Sequence, residues 1–403
     1  SPIVANFNQI NALDRLEFIR IKPFIVKYRY VPEILQGESP TIFEFSENRS
    51  SFSSWDDIKA KARAWKEAVR PLSLTASLVP LLLGGALAFS VLHTLNVWLF
   101  ILTIVGGIMI QAGTNMINDW KDADRDNENA EGIRPFTGGS RMIQLGLVSR
   151  ADMGFFGMIL SAIAAIIGFY LVAVSGWGLV PLILYGLLAG VFYTAEKGKF
   201  SFINLAPGLA EFLIATTFGV LMTMGAFYVQ TGYFSLQAFL ISLPVGVFIS
   251  SVLLINQFQD AESDAKSGKK TLVVRLGKLK AKNLLIASFI VGYLIIALLP
   301  VLGYTTYNIY FAFLSVPFAV QAIRYAHQNY NKTAVDLISG NAHTAINHLF
   351  AGLLLVFAFI FNELSIVLVA LYFVASLLFV FWVWRYIERR RKTMNSFRLT
   401  MRK

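Results

Sequence analysis

The stretch NMINDWKDADRD, from Asn115 to Asp126, places Asp119, Asp122 and Asp126 at offsets of zero, three and seven residues. On a helix turning 100° per residue, these carboxylates fall within about 60° of one another, with Asn115 on the same face. Asn118 and Asp124 point elsewhere. Three carboxylates on one face repel unless a cation lies between them. A hard, oxygen-seeking ion such as Mg²⁺ suits them, since it takes one or two carboxylates and completes its shell with phosphate oxygens. A second set, Asn256, Asp260 and Asp264, recurs every fourth residue in NQFQDAESDAKSGKKT, again on one helical face. Either set alone reads equally well as a solvated helix end. Two sets, each led by an Asn four residues ahead of its first Asp, argue for a shared task.

Cationic and polar residues accompany both sets. RPFTGGSR supplies Arg134 and Arg141, and the backbone amides of residues 138–140 can form an anion nest. No strand precedes these glycines, so a nucleotide loop is not the reading. YTAEK puts Tyr193 and Lys197 four apart on one helical face, which also suits an interfacial tyrosine with a snorkelling lysine. GKKTLVVRLG follows the second set as a loop and supplies Lys270 and Arg275. Carboxylates, a divalent ion and cations at one rim describe a site for a diphosphate whose apolar tail lies among helices. His343 and His348 are five apart and do not share a helical face, so they are not a metal pair.

The elements that must position these groups are membrane helices. Of 403 residues, 56% are hydrophobic and 15% charged, against about 25% charged in soluble domains. Ten apolar runs, near 71–92, 96–118, 153–174, 177–194, 203–229, 235–258, 283–302, 305–325, 344–361 and 364–385, are each long enough to cross about 30 Å of hydrocarbon. Loops after odd-numbered runs (LHTLN, SGWG, QTGYFS, LGYTTYN, FNEL) contain no Lys or Arg. Loops after even-numbered runs hold Lys121, Arg125, Arg134, Arg141, Lys197, Lys199, Lys266, Lys269, Lys270, Arg275 and Arg324. The positive-inside rule makes that side cytoplasmic, together with both termini and both acidic sets. It also accounts for much of the net charge of +11 without nucleic acid. The basic tail, RYIERRRKTMNSFRLTMRK, adds attraction to anionic lipid, about 1 kcal/mol per basic residue near the surface.

Residues 1–54 read as a small extramembrane segment with β character, from the alternation in FIRIKPFIVKYRYV and the short TIFEF run. Residues 55–69 read as an interfacial amphipathic helix with Trp55, Ile58, Ala62 and Trp65 along one side. Residues 70–361 form the transmembrane domain, and 362–403 an additional span with its basic tail. The chain has no cysteine, which excludes disulfides and thiolate metal sites. Residues 1–60 and the tail are candidate surfaces for a protein partner.

NDWKDADRD resembles the NDxxDxxxD signature of the UbiA superfamily of intramembrane prenyltransferases, DAESD its second DxxxD motif, and YTAEK its YxxxK element. The resemblance covers roughly residues 65–361. RPFTGGSRMIQLGLVS, GAFYVQTG and DAESDAKSGKKTLVVRLG are most similar to the branch that prenylates 1,4-dihydroxy-2-naphthoate in menaquinone synthesis. The resemblance implies an all-α polytopic membrane protein, a nine-helix bundle, here extended by the C-terminal helix and the N-terminal segment. It implies two Mg²⁺ ions held by Asp119, Asp122, Asp126, Asp260 and Asp264, with Asn115, Asn118 and Asn256 beside them. It also implies a polyprenyl diphosphate contacted by Tyr193 and Lys197, with Arg134, Arg141, Lys270 and Arg275 as further diphosphate contacts. Residues 1–60 and the last span have no counterpart in the family pattern, and YTAEKGKF is more charged than that pattern.

The chemistry so implied is ionisation of an allylic diphosphate, attack by an electron-rich aromatic carbon in a dry chamber, and, for a naphthoate, loss of CO₂ and a proton. Other acceptors within the superfamily (hydroxybenzoate, homogentisate, lipid or tetrapyrrole) remain open at this point. A cation transporter using the carboxylates is the rival of a different class. Against it, the Asp residues cluster at one rim, and Glu211 is the one mid-span charge. The expected setting is a bacterial-type inner membrane with the site facing the cytoplasm.

Overall fold

The computed structural model describes residues 55–128, 139–193, 202–266 and 268–401, which are helical and contain no strand. The β-like reading of residues 1–54 lies outside the described residues. In chain order the helices are α1 (Trp55–Ala68), α2 (Pro71–Leu92), α3 (Val97–Glu128), α4 (Arg150–Ser175), α5 (Leu179–Tyr193), α6 (Leu209–Thr231), α7 (Leu236–Lys266), α8 (Leu272–Val301), α9 (Tyr307–Asn329), α10 (Ile338–Ile360) and α11 (Ile366–Met401). Among the described residues, leaving aside the single turn Phe202–Leu205, nine helices, α2 to α10, run between Pro71 and Ile360, and α11 follows as a tenth. Among the described residues nine helices are long and apolar enough to cross a membrane. The expected fourth span is the exception. As described to Tyr193, α5 has 15 residues, about 22 Å, and the residues that follow lie outside the described ones.

Other boundaries moved for identifiable reasons. α3 continues past the apolar run to Glu128, so the whole first acidic set is helical. α7 likewise carries the second set and stops after it. Gly268 there adopts φ 76°, while the N–H of Lys269 reaches the Asp264 carbonyl at 2.8 Å, a left-handed closure that glycine permits. The expected loop carrying Arg275 is instead the first turn of α8, which breaks at Gly277 (φ 76°, ψ 155°) before resuming. α9 opens with a 3₁₀ stretch, Tyr307–Ser315.

The chain divides into two compact units. The larger comprises Leu72–Thr114 and Met158–Ile387. Its most enclosed element is α10, buried along nearly its whole length, including the polar Asn341, His343, Thr344, Asn347 and His348 of its first half. α10 packs against α7 and α9, while α7 also packs against α6 and α8. Small residues allow the closest approach. In α6 a π turn, Thr216–Leu221, brings Gly219 onto Gly246 of α7, where a Cβ on Gly246 would lie 2.7 Å from the Ala215 carbonyl oxygen. The loops after odd-numbered spans are tied together at one end of this unit. Asn96 exchanges bonds with Gln230 (2.9 and 3.2 Å), Ser175 donates to the Val229 carbonyl (3.0 Å), the Gly178 N–H donates to the Tyr228 hydroxyl (3.2 Å), and Gln237 donates to the Tyr304 carbonyl (2.8 Å). His93 Nδ1 lies 2.7 Å from Glu363. The opposite ends of α6, α7, α8 and α10 carry the polar groups described next.

The smaller unit takes Ser1–Pro71, Asn115–Gly157 and Glu388–Lys403. Here α1 buries Ala64 and Ala68, one turn apart; of the expected face, Ala62 is exposed and Trp65 half-buried, and the Trp55 and Ile58 side chains lie outside the described residues. Alanines at that spacing let a neighbour approach closely, and Trp65 covers the contact edge-on to Phe156 at 4.7 Å. Trp120 sits over Gly154, where a Cβ would meet its ring at 3.0 Å.

Candidate active site

In the larger unit the second acidic set runs along the end of α7. Asn256 is fixed from α10: its Oδ1 accepts from Asn341 Nδ2 at 2.6 Å. The Asn341 Oδ1 accepts in turn from Gln259 Nε2 at 3.1 Å, and the same Nε2 donates to the Ala334 carbonyl at 3.1 Å. Asp260 and Asp264 follow on the Asn256 face, both half-buried, whereas Glu262 points outward, 83% exposed, toward Lys278 at 3.6 Å. Beyond the helix end, Asn204 holds the next segment. Its Oδ1 accepts the Lys270 N–H at 2.8 Å, and its carbonyl accepts from Arg275 at 2.7 Å. Arg275 Nε also donates to the Lys270 carbonyl at 2.8 Å, so part of its guanidinium fastens the backbone and part remains for an anion.

Below Asp260 a further polar cluster joins three helices. Glu211, in the first turn of α6, accepts from Gln257 Nε2, and Gln257 Oε1 accepts the Val273 N–H of α8 at 3.4 Å. Glu211, Gln257 and Thr271 are all buried.

In the smaller unit, α3 presents Asn115 and Asp119 to the turn between α1 and α2. Asn115 Nδ2 donates to the Val69 carbonyl at 3.2 Å, and Asp119 forms an ion pair with Arg70. The second carboxylate oxygen of Asp119 accepts the Ser140 N–H at 3.0 Å. The amide expected to serve an anion nest therefore binds a carboxylate of the chain itself. Positive φ at Gly139 (77°) and Arg141 (63°) bends the backbone to aim that N–H. Asp119 is 5% exposed, Asp122, Asn118 and Arg141 are half-buried, and Gln144 donates to the Ala123 carbonyl at 3.2 Å, holding the loop to α3. The Asp126 side chain, the Tyr193 side chain at the end of α5, Arg134 and Lys197 lie outside the described residues.

The donor chemistry fits Mg²⁺. Each set offers only carboxylate and amide oxygens, and a carboxylate such as Asp119, with about four acceptor positions, uses two of them here. Among the described residues no three His, Asp or Glu side chains gather into a complete ion site. Sequence reasoning missed Arg70, Asn204, Gln257 and Asn341. Arg70 had one signal, as a cation directly before Pro71, where a helix must break. Asn341 had another, as an amide entering an apolar run, which needs a partner in the membrane.

The model of the UbiA prenyltransferase family matches residues 77–339. The 1,4-dihydroxy-2-naphthoate octaprenyltransferase of Bacillus subtilis (strain 168) is 31% identical over 300 residues, 72% of this chain and 89% of that relative. The 2-carboxy-1,4-naphthoquinone phytyltransferase of Synechocystis is 27% identical over 301 residues, 73% of this chain and 92% of that relative. Among solved structures, a UbiA homolog from Archaeoglobus fulgidus bound to GPP and Mg²⁺ shares the fold, with TM-score 0.53 and 13% identity. It covers 73% of this chain and 99% of its own.

Proposed function

The chain belongs to the UbiA prenyltransferase family, and we propose that it moves a polyprenyl group from an allylic diphosphate to 1,4-dihydroxy-2-naphthoate, with Mg²⁺ as cofactor. It is an integral, multi-pass membrane protein. The observation that carries the acceptor assignment is the 31% identity to a naphthoate octaprenyltransferase across 89% of that enzyme's length. Asp119, Asp122, Asp126, Asp260 and Asp264 would hold two Mg²⁺ ions, with Asn115, Asn118 and Asn256 alongside. When bound, Mg²⁺ supplies Lewis-acid neutralisation of the departing diphosphate's charge.

The chain's own residues do the rest. Asn341, fixed between Gln259 and Asn256, sets the rotation of α7 and so the direction in which Asp260 and Asp264 point. Arg70 pairs with the Asp119 carboxylate and fixes its direction. Lys270 and Arg275, braced by Asn204, Tyr193 with Lys197, and Arg134 with Arg141 are the cations and donors for phosphate oxygens. The apolar spans exclude water, which would otherwise quench an allylic cation. The positive-inside asymmetry supports a cytoplasmic site in an inner membrane.

The test is incubation of purified protein and Mg²⁺ with a labelled polyprenyl diphosphate and a panel of naphthoate, hydroxybenzoate, homogentisate, lipid and tetrapyrrole acceptors. A prenylated product lacking one CO₂, formed from the naphthoate and abolished by chelator, is the expected result. Transfer to another acceptor alone would overturn the naphthoate assignment.

A further inference from the structure

Glu211 is a carboxylate that the diphosphate chemistry does not use. It is 8% exposed, lies in the first turn of a membrane helix, and among the described residues has one hydrogen-bond partner, the neutral amide of Gln257. No described cation is paired with it. A carboxylate in such a place is costly, and a glutamine there would make the same contact with Gln257 at less expense. The acid itself therefore needs a chemical reason.

Its surroundings supply one. Gln257 cannot turn its amide freely, because its Oε1 accepts the Val273 N–H at the start of α8. Its Nε2 is thereby committed to Glu211, the arrangement of a base held by an orienting group. Gln257 precedes Asp260 by three residues and Asp264 by seven, so all three share one side of α7 within about 60°. The cluster sits about 4.5 Å deeper along the helix axis than Asp260. An allylic diphosphate gripped by that acidic set with its tail among the helices puts its reacting carbon at this depth. Thr271, 6% exposed and two residues before Val273, has a buried hydroxyl with no partner, a second polar group that the fold leaves unused.

We propose that Glu211, oriented by Gln257, takes the proton from the ring hydroxyl of the aromatic acceptor, with Thr271 as a contact for another acceptor oxygen. The assignment rests on the aromatic prenyltransferase reading above. The Glu211 carboxylate gains the hydroxyl proton, and the O–H electron pair stays on the acceptor as an aryloxide. The ring carbon beside it, which carries the carboxylate, forms a bond to the allylic carbon as the C–O bond to diphosphate breaks, and that bond's pair leaves on the diphosphate. CO₂ then departs from the same ring carbon, its bonding pair restores the aryloxide, and the oxygen recovers its proton from Glu211.

The experiment compares wild-type chain, Glu211→Gln and Gln257→Leu in lipid nanodiscs. Glu211→Gln should lower kcat for a naphthoate bearing an ordinary ring hydroxyl by about 10²–10⁴-fold. KM for the prenyl diphosphate and binding of labelled prenyl diphosphate should stay within about twofold of wild type. An acceptor made acidic enough by electron-withdrawing substituents to be ionised at the assay pH should recover most of the rate. Gln257→Leu, which leaves the carboxylate in place but unguided, should lose about tenfold and be rescued by the same acceptor. If Glu211→Gln folds poorly, shown by lost prenyl diphosphate binding, the Gln257→Leu rescue decides. Equal losses with both acceptors, or near wild-type rates with either, would overturn the assignment of Glu211 while leaving the transferase intact. A wild-type chain that binds prenyl diphosphate but prenylates no aromatic acceptor would instead overturn the underlying reading, and this one with it.

Discussion

Asp119 meets Arg70 and the Ser140 amide, so the first carboxylate of its set is also the pin that closes the α1–α2 turn. That double duty separates two effects that mutation can tell apart. Asp119→Ala and Asp260→Ala should both abolish prenyl transfer, measured by radiolabelled product, with membrane insertion intact. Asp119→Ala should also lower the melting temperature, because it removes the ion pair with Arg70 and the acceptor of the Ser140 N–H. Arg70→Ala strands a buried carboxylate on one backbone donor, at a cost on the order of 1–3 kcal/mol. The double variant should lose less than the sum of the two single variants, since the Arg70–Asp119 pair is counted in both. Additive losses would mean that the pair is incidental. The acidic residues were legible in the sequence because their spacing is helical and local. Arg70, 49 residues before Asp119, was not, because nothing in the spacing of residues reveals a contact closed by a turn between helices.

At the scale of elements, the contact between α6 and α7 rests on glycine. Gly246→Val would drive a side chain into the Ala215 carbonyl and should cost about 1–3 kcal/mol, seen as a lower melting temperature in detergent. Gly186 of α5 has nothing within 4 Å of its Cβ position. Gly186→Ala should be neutral or stabilising by up to about 1 kcal/mol, which separates steric cost from any general intolerance of substitution. Helix existence was readable from apolar run length, but the ends were not. α3 and α7 extend through charged residues because those carboxylates lie on one face and leave the backbone ladder unbroken. α5 is described for 15 residues, to Tyr193, and the YTAEKGKF residues after Tyr193 lie outside the described residues. The π turn of α6 carries no sequence signature at all.

At the scale of the whole molecule, the segregation of Lys and Arg to alternate loops is the boldest feature that sequence alone yields. The hydrogen bonds joining Asn96 to Gln230 and Gln237 to Tyr304 place the lysine-free and arginine-free loops of the larger unit at one end, as that alternation requires. The absence of cysteine makes a direct check simple, since any introduced thiol is unique. Thr94→Cys and Tyr304→Cys should react with an impermeant maleimide from one side of sealed vesicles, and Lys332→Cys from the other. Labelling of all three from one side would undo the topology. The burial of α10 on nearly every side has a further bearing on what this chain does to the bilayer that holds it. From Leu349 to Ile360 this helix is an unbroken run of buried apolar residues, which offers an ion no polar contact along that length. Vesicles loaded with the protein should therefore hold a potassium diffusion potential as long as empty ones, so a cell can accumulate the protein without dissipating its proton-motive force.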